Sequence, residues 1–346
     1  MASRFDSHST KPRLDPGRLQ VFLLVMTVVI ATVSLMVGQA GIHPYEILRI
    51  LLSKLFPMER TWSQTIEAVI FDVRVPRLLA GLLVGAGLSV AGAAFQGLFR
   101  NPLVSPHILG VSAGAGFGAA LAILFFGNII LVQVFSFIFG LGAVFFSYAL
   151  SRVYRTTPVL MLVLSGIIVG ALFTASTSLL KYIADPVNQM PSIVFWLMGS
   201  LNNVSNSDLL LVGPLILAGI AILLSIRWRI NLLTMGEEDA RALGVNTELM
   251  KGLIIISATV ISASAVCITG IIGWIGLVIP HIGRLLVGPD NRLLLPVAAL
   301  VGASYLVTVD TLARSIAETE IPIGILTAMV GAPIFAYLLR KNRPGW

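Results

Sequence analysis

A single cysteine, Cys267, stands in 346 residues, so the chain can close no internal disulfide and offers no multi-cysteine metal site. Charge is also scarce. Only 11% of residues are Asp, Glu, Lys or Arg, against roughly 25% in soluble domains, which excludes a water-soluble globular chain. The apolar blocks do not alternate residue by residue, so a membrane barrel is excluded and helices remain. No G-x-x-x-x-G-K-[ST] loop, H-E-x-x-H pair or C-x-x-C occurs, which leaves nucleotide hydrolysis, zinc proteolysis and dithiol chemistry without a signature. The four histidines, His8, His43, His107 and His281, are scattered. His107 and His281 sit in the similar hexamers LVSPHI and LVIPHI, yet no defined carboxylate partner supports a metal relay, and helix-end hydrogen bonding is the expectation.

What the chain has is hydrocarbon: 57% hydrophobic residues and a mean hydropathy of +0.94. The net charge of +7 does not point to nucleic acid, because most bases lie in short segments between apolar blocks, as the cytoplasmic bias of membrane proteins predicts. We expect an all-α polytopic membrane protein in which residues 1–18 form a cytoplasmic tail, 19–340 one transmembrane domain and 341–346 a second cytoplasmic tail. Blocks long enough to cross about 30 Å run from Leu19 to Val37, from Val73 or Leu78 to Leu98, and then over His107–Phe126, Leu131–Leu150, Pro158–Leu180 and Leu209–Ile226. The apolar stretch Leu253–Val287 would make one helix of about 52 Å, too long for a single crossing. Basic residues at both ends call for an even count, so it divides at Gly273 into Leu253–Ile272 and Trp274–Val287. With Leu293–Leu312 and Ile321–Leu339 the count is ten, and roughly 16 of the 23 Lys and Arg residues fall on the cytoplasmic side. Pro191–Met198 is apolar but too short to span, and Trp62 reads as an interface anchor.

Three polar features need explanation. Arg227–Lys251 is a long polar loop in which Glu237, Glu238 and Asp239 precede Arg241 and the Leu243-Gly244 pair, the pattern of a short helix with acids near its positive end. It presents a structured surface to a partner or is an ordinary charged face. Arg74, Arg77 and Arg314 lie where spans meet the outer side, and either touch lipid headgroups or dock an acidic partner. Asp310 lies within an apolar block, which keeps an ion-coupled secondary transporter open, although Arg314 one turn later is a ready partner.

The stretches RVPRLLAGLLVGAGLSVAGAAFQGLFRNPLVSPHILGVSAGA, MGEEDARALGV, GWIGLVIPHIGRLL and IPIGILTAMVGAPIFAYLL together resemble the FecCD-type permeases, the membrane subunits of ABC importers for ferric siderophores, haem and cobalamin. The resemblance covers nearly everything after the N-terminal tail. It implies the ten-span type II importer fold, similar to the vitamin B12 importer's membrane subunit, in a bacterial plasma membrane. The implied partners are a second copy of the chain, two cytoplasmic ATPase subunits that carry the ATP and magnesium, an extracytoplasmic binding protein, a metal-chelate substrate and surrounding lipid. No nucleic acid, no catalytic site and no protein-bound metal or cofactor are implied for this chain. Carried over residue by residue, it implies ATPase coupling at Met235, Gly236, Glu237, Glu238, Arg241, Leu243 and Gly244, and binding-protein docking at Arg74, Arg77 and Arg314. It further implies a cytoplasmic gate at Thr156, Thr157, Pro158, Val159, Leu160 and Met161, and an outer pathway bordered by Pro191, Phe195, Trp196 and Gly199. Pro158 and Val159 depart from the small polar residues of the cobalamin member's gate. The first substrate expectation is a ferric siderophore, followed by haem and cobalamin. A purely structural scaffold would show no transport at all.

Overall fold

The computed structural model describes residues 15–38, 42–54, 56, 59–152, 157–317 and 319–341; the expected tails, apart from residues 15–18 and Lys341, lie outside them, as does Thr156. The described residues form helices and connecting turns, with no strand among them. In chain order these are α1 (Pro16–Met36), α2 (Pro44–Leu52), α3 (Gln64–Ala68), α4 (Val75–Phe99), α5 (Val111–Phe125), α6 (Ile129–Ser151), α7 (Val159–Ile183) and α8 (Gln189–Met198). There follow α9 (Asn206–Ser225), α10 (Arg227–Met235), α11 (Glu237–Ala242), α12 (Thr247–Thr269), α13 (Ile275–Val287), α14 (Asn291–Ala313) and α15 (Ile323–Lys341). Seven helices among the described residues are long and apolar enough to cross a membrane, with α3 and α4 counted as one continuous run.

Local sequence sets the ends. Asp15 caps α1 ahead of Pro16, Asn128 caps α6, Asp290 caps α14, and Ser205 with Asp208 forms a capping box on α9. Between α3 and α4, residues Val69–Arg74 form a π-helical turn, so the chain stays helical through Pro76. The expectation of a start at Val73 or Leu78 was therefore late, because the π-helical turn carries the helix through Pro76 without a break.

Helices α4 and α12 are buried over most of their length, while α1, α6, α7 and α9 expose broad apolar faces. Lipid gives apolar helices no hydrophobic reason to associate, so close packing must hold them, and small residues permit it. A Cβ on Gly85 of α4 would lie 2.3 Å from the Gly302 carbonyl oxygen of α14, and one on Gly92 would lie 2.0 Å from that of Gly276 in α13. The two irregular segments, 100–110 and 270–274, meet beside α4. Gln96 donates to the carbonyls of Val104 (3.1 Å), Gly276 (3.4 Å) and Leu277 (3.3 Å), and accepts from Arg284. The Val104 carbonyl, outside any helix, and the Gly276 carbonyl, four residues before Pro280, thus gain a donor that no helix supplies.

Three expectations need correction. Trp62 is buried and donates to Glu67 at 3.2 Å within a cluster of Ile42, Ile47, Ile50 and Ile70, so it packs protein rather than an interface. The expected third span begins not at His107 but with a 3₁₀ turn, Pro106–Leu109, before the 15-residue α5. The polar loop after α9 carries two helices, and α10 has no sharp apolar stripe to announce it.

Substituting Gly92→Ala should cost about 1–3 kcal/mol of stability, because the methyl meets backbone that cannot rotate away. Thermal unfolding in detergent should show it as a lowered Tm, while Gly142→Ala, inside α6 with no atom within 4 Å of the added Cβ, does not lower Tm.

Candidate functional site

Opposite ends of the bundle carry the polar groups. At one end, α10 and α11 pack beneath α4, α12 and α14. Asn231 of α10 donates to Asp290 at 2.6 Å and accepts from the Asn291 backbone at 2.8 Å, which ties α10 to the α13–α14 turn. Arg292 hydrogen bonds hold the Asp290 carboxyl below the usual carboxylate range. Gly236, at φ +138°, then turns the chain sharply into α11.

The acids Glu237, Glu238 and Asp239 occupy the first turn of α11, where the backbone N–H groups are free. Ala240 packs inward, while Met235, Glu238, Arg241, Leu243 and Gly244 are exposed, and Gly244 at φ +81° ends the element. Arg241 lies 3.6 Å from Glu237 and donates to Thr247 at 2.9 Å. The residues expected to couple to an ATPase thus form one compact projection held against α12. Of the expected gate residues, the Thr157 backbone is buried against this end, Pro158 caps α7, and Leu160 and Met161 are exposed on its first turn. Thr156 lies outside the described residues.

At the other end the three arginines face inward. Arg77 grips Asp310 through Nε (2.9 and 3.1 Å) and Glu320 through both Nη atoms (2.8 and 3.0 Å), a doubly bidentate arrangement. Arg314 donates to the Val37 carbonyl at 2.6 Å and to Ser34 Oγ at 2.9 Å, and Arg74 donates to the Leu35 carbonyl at 2.7 Å. These carbonyls end α1 without intrahelical donors, and two guanidiniums satisfy them. The expected Asp310–Arg314 pair exists at 3.7 Å but is secondary to Arg77. Sequence reading missed Glu320 as the second acid on Arg77. Its only sequence signal is its position just before an apolar block.

Beside Glu320 opens a cleft of about 880 Å³, lined by Phe195, Trp196 and Gly199 together with Gln133, Asn188 and Thr269. Pro191 lies on the same helix but not on the cleft wall. Gly199, at φ +75°, accepts from the Ile323 N–H at 3.0 Å, and Ser200 donates to the Thr269 carbonyl at 2.7 Å. The cleft wall is therefore pinned to both α12 and α15. Cys267 also lines it, its thiol donating to the Ser264 carbonyl at 3.2 Å.

The profile of the FecCD transport family matches residues 25–341, and the chain belongs to that family. The molybdate import system permease protein MolB of Haemophilus influenzae is 43% identical over 93% of this chain and 95% of its own length. The cobalamin import system permease protein BtuC of Halobacterium salinarum is 42% identical over 83% of this chain and 77% of its own. Among solved structures, an inward-facing metal-chelate type ABC transporter superposes with a TM-score of 0.82 at 40% identity, covering 95% of this chain and all of that one.

Asp310→Asn leaves two buried guanidiniums short of a carboxylate and should cost about 3–5 kcal/mol. Glu320→Gln, at a rim site one-third exposed, should cost about 1 kcal/mol or less. Paired thermal melts in detergent check the ranking, and equal losses would contradict it.

Proposed function

We propose that this FecCD-family chain is the membrane-spanning subunit of an ATP-driven importer, with a ferric siderophore as its first substrate and haem or cobalamin as alternatives. The observation that carries the reading is α11: a rigid, exposed projection, sealed by its own ion pairs, at the end of the bundle opposite a cleft of about 880 Å³. A helix built this way gives a partner a lever, whereas a simple connector needs no such bracing.

On this reading α5, α13 and α15 cross the membrane beside the seven long helices, ten crossings in all. Support for a cytoplasmic α11 end is its Arg100, Arg227, Arg229 and Arg292; on this reading the cleft faces outside and both termini are cytoplasmic. A second copy then completes the pathway, and two ATPase subunits seat on Met235, Gly236, Glu237, Glu238, Arg241, Leu243 and Gly244. ATP binding and hydrolysis in those subunits displace α11, and the helices rock so that the gate at α7 and the cleft at Phe195, Trp196 and Gly199 open in turn. No bond in the substrate breaks. Support for binding-protein docking at Arg74, Arg77 and Arg314 is their place at the outer end; an acidic partner must compete with their internal acceptors.

Molybdate is a second reading, favoured by the 43% identity to a permease named for it.

The chain reconstituted with its ATPase and binding protein in liposomes should take up radioiron-labelled ferric siderophore only with internal ATP. Uptake of molybdate instead moves the substrate to an oxyanion. Uptake driven by an ion gradient without the ATPase overturns the importer reading. Arg241→Ala should lower ATP-dependent uptake about fivefold or more while leaving the amount of chain in the membrane unchanged.

A further inference from the structure

Of the described lysine side chains, Lys54, Lys181 and Lys251, only Lys251 is buried, with 3% of its side chain exposed. It sits one turn into α12. Its ammonium donates hydrogen bonds to two acceptors and ion-pairs a third group, each on a different piece of structure. Nζ lies 2.7 Å from Glu237 Oε1 on α11, 3.0 Å from Glu248 Oε1 on α12 and 3.1 Å from the Thr157 carbonyl, which immediately precedes the α7 cap Pro158. Arg241 closes the group from the exposed side, 3.6 Å from Glu237 and 3.9 Å from Glu248, so two cations face two carboxylates.

Helix α11 packs on α10 and α12, and among the described residues the ammonium links it to the start of α7. A buried charge holds its acceptors tightly, because any acceptor that leaves strands the charge in a poorly solvating site. Displacement of Glu237 must therefore carry Lys251 with it, break the Thr157 bond, or pull the α7 start along. An apolar side chain would fill the same space without this obligation.

We propose that Lys251 is a positioning residue that transmits movement of α11 to the start of α7 through Glu237 and the Thr157 carbonyl. The proposal rests on the importer reading above.

Leu160, 68% exposed on the first turn of α7, provides the reporter. Its Leu160→Cys variant is assembled with the ATPase and labelled with a membrane-impermeant maleimide, with and without ATP and vanadate; the parent chain, carrying only buried Cys267, is the control. In the reporter chain, nucleotide should change the labelling rate about fivefold or more, and added Lys251→Met should reduce that change below about twofold while the ATPase still co-purifies. Lys251→Arg, which keeps donors for both acceptors, should retain it. Glu237→Met should match Lys251→Met, and the double variant should be no worse than either single one. An undiminished nucleotide response in Lys251→Met overturns the proposal. So does an equal loss in Lys251→Arg, or loss of ATPase binding in both variants, which would make Lys251 an assembly contact. Absence of any nucleotide response in the reporter chain itself would instead overturn the importer reading.

Discussion

Close approach of α4 to α13 and α14 is the contact on which the other elements depend. Gly92 and Gly85 let backbone meet backbone carbonyl there, with no room for a methyl group. Because α4 stands so near, its Gln96 reaches the Val104 carbonyl in the irregular segment before α5 and the Gly276 carbonyl in α13, whose i+4 residue, Pro280, has no N–H to offer. Hydrocarbon supplies no donor of its own, so shorter helices such as α5 and α13 can exist only where a neighbour closes their ends. The cleft wall follows the same rule, with Gly199 and Ser200 hydrogen-bonded to α15 and α12.

Charge obeys a related constraint at both ends of the bundle. Arg77 is nearly enclosed and has two carboxylates; Lys251 is nearly enclosed and also has two. In each group one acid is deeper or on the same element, and the other sits on a segment at the surface: Glu320 at the cleft rim, Glu237 on α11. Buried cations thus fasten exposed segments to the core at both ends of the bundle. Arg314 and Arg74 do comparable work for the end of α1, through carbonyls rather than carboxylates. Such contacts define a small number of discrete arrangements, which suits rigid-body movement better than gradual deformation.

Much of this was legible in the residues themselves. Apolar blocks of crossing length, the break near Gly273, the short helix before Leu243-Gly244 and the glycine-rich α4 all follow from hydropathy, helix length and turn chemistry, which are local properties. Four separated motifs were enough to identify the family. Partner choice among charges was not legible, because Arg77 meets Asp310 and Glu320 across 233 and 243 residues of sequence. Nothing near Lys251 in sequence announces its bond to Thr157, 94 residues earlier. Trp62 and the arginines looked like surface groups for the same reason: burial depends on what the rest of the chain brings alongside. Sequence alone determined which segments leave water and where helices stop, since each is decided within a few turns. Only the tertiary structure decided which cation holds which acid, because in an apolar bundle that choice belongs to whichever groups packing leaves within about 3 Å.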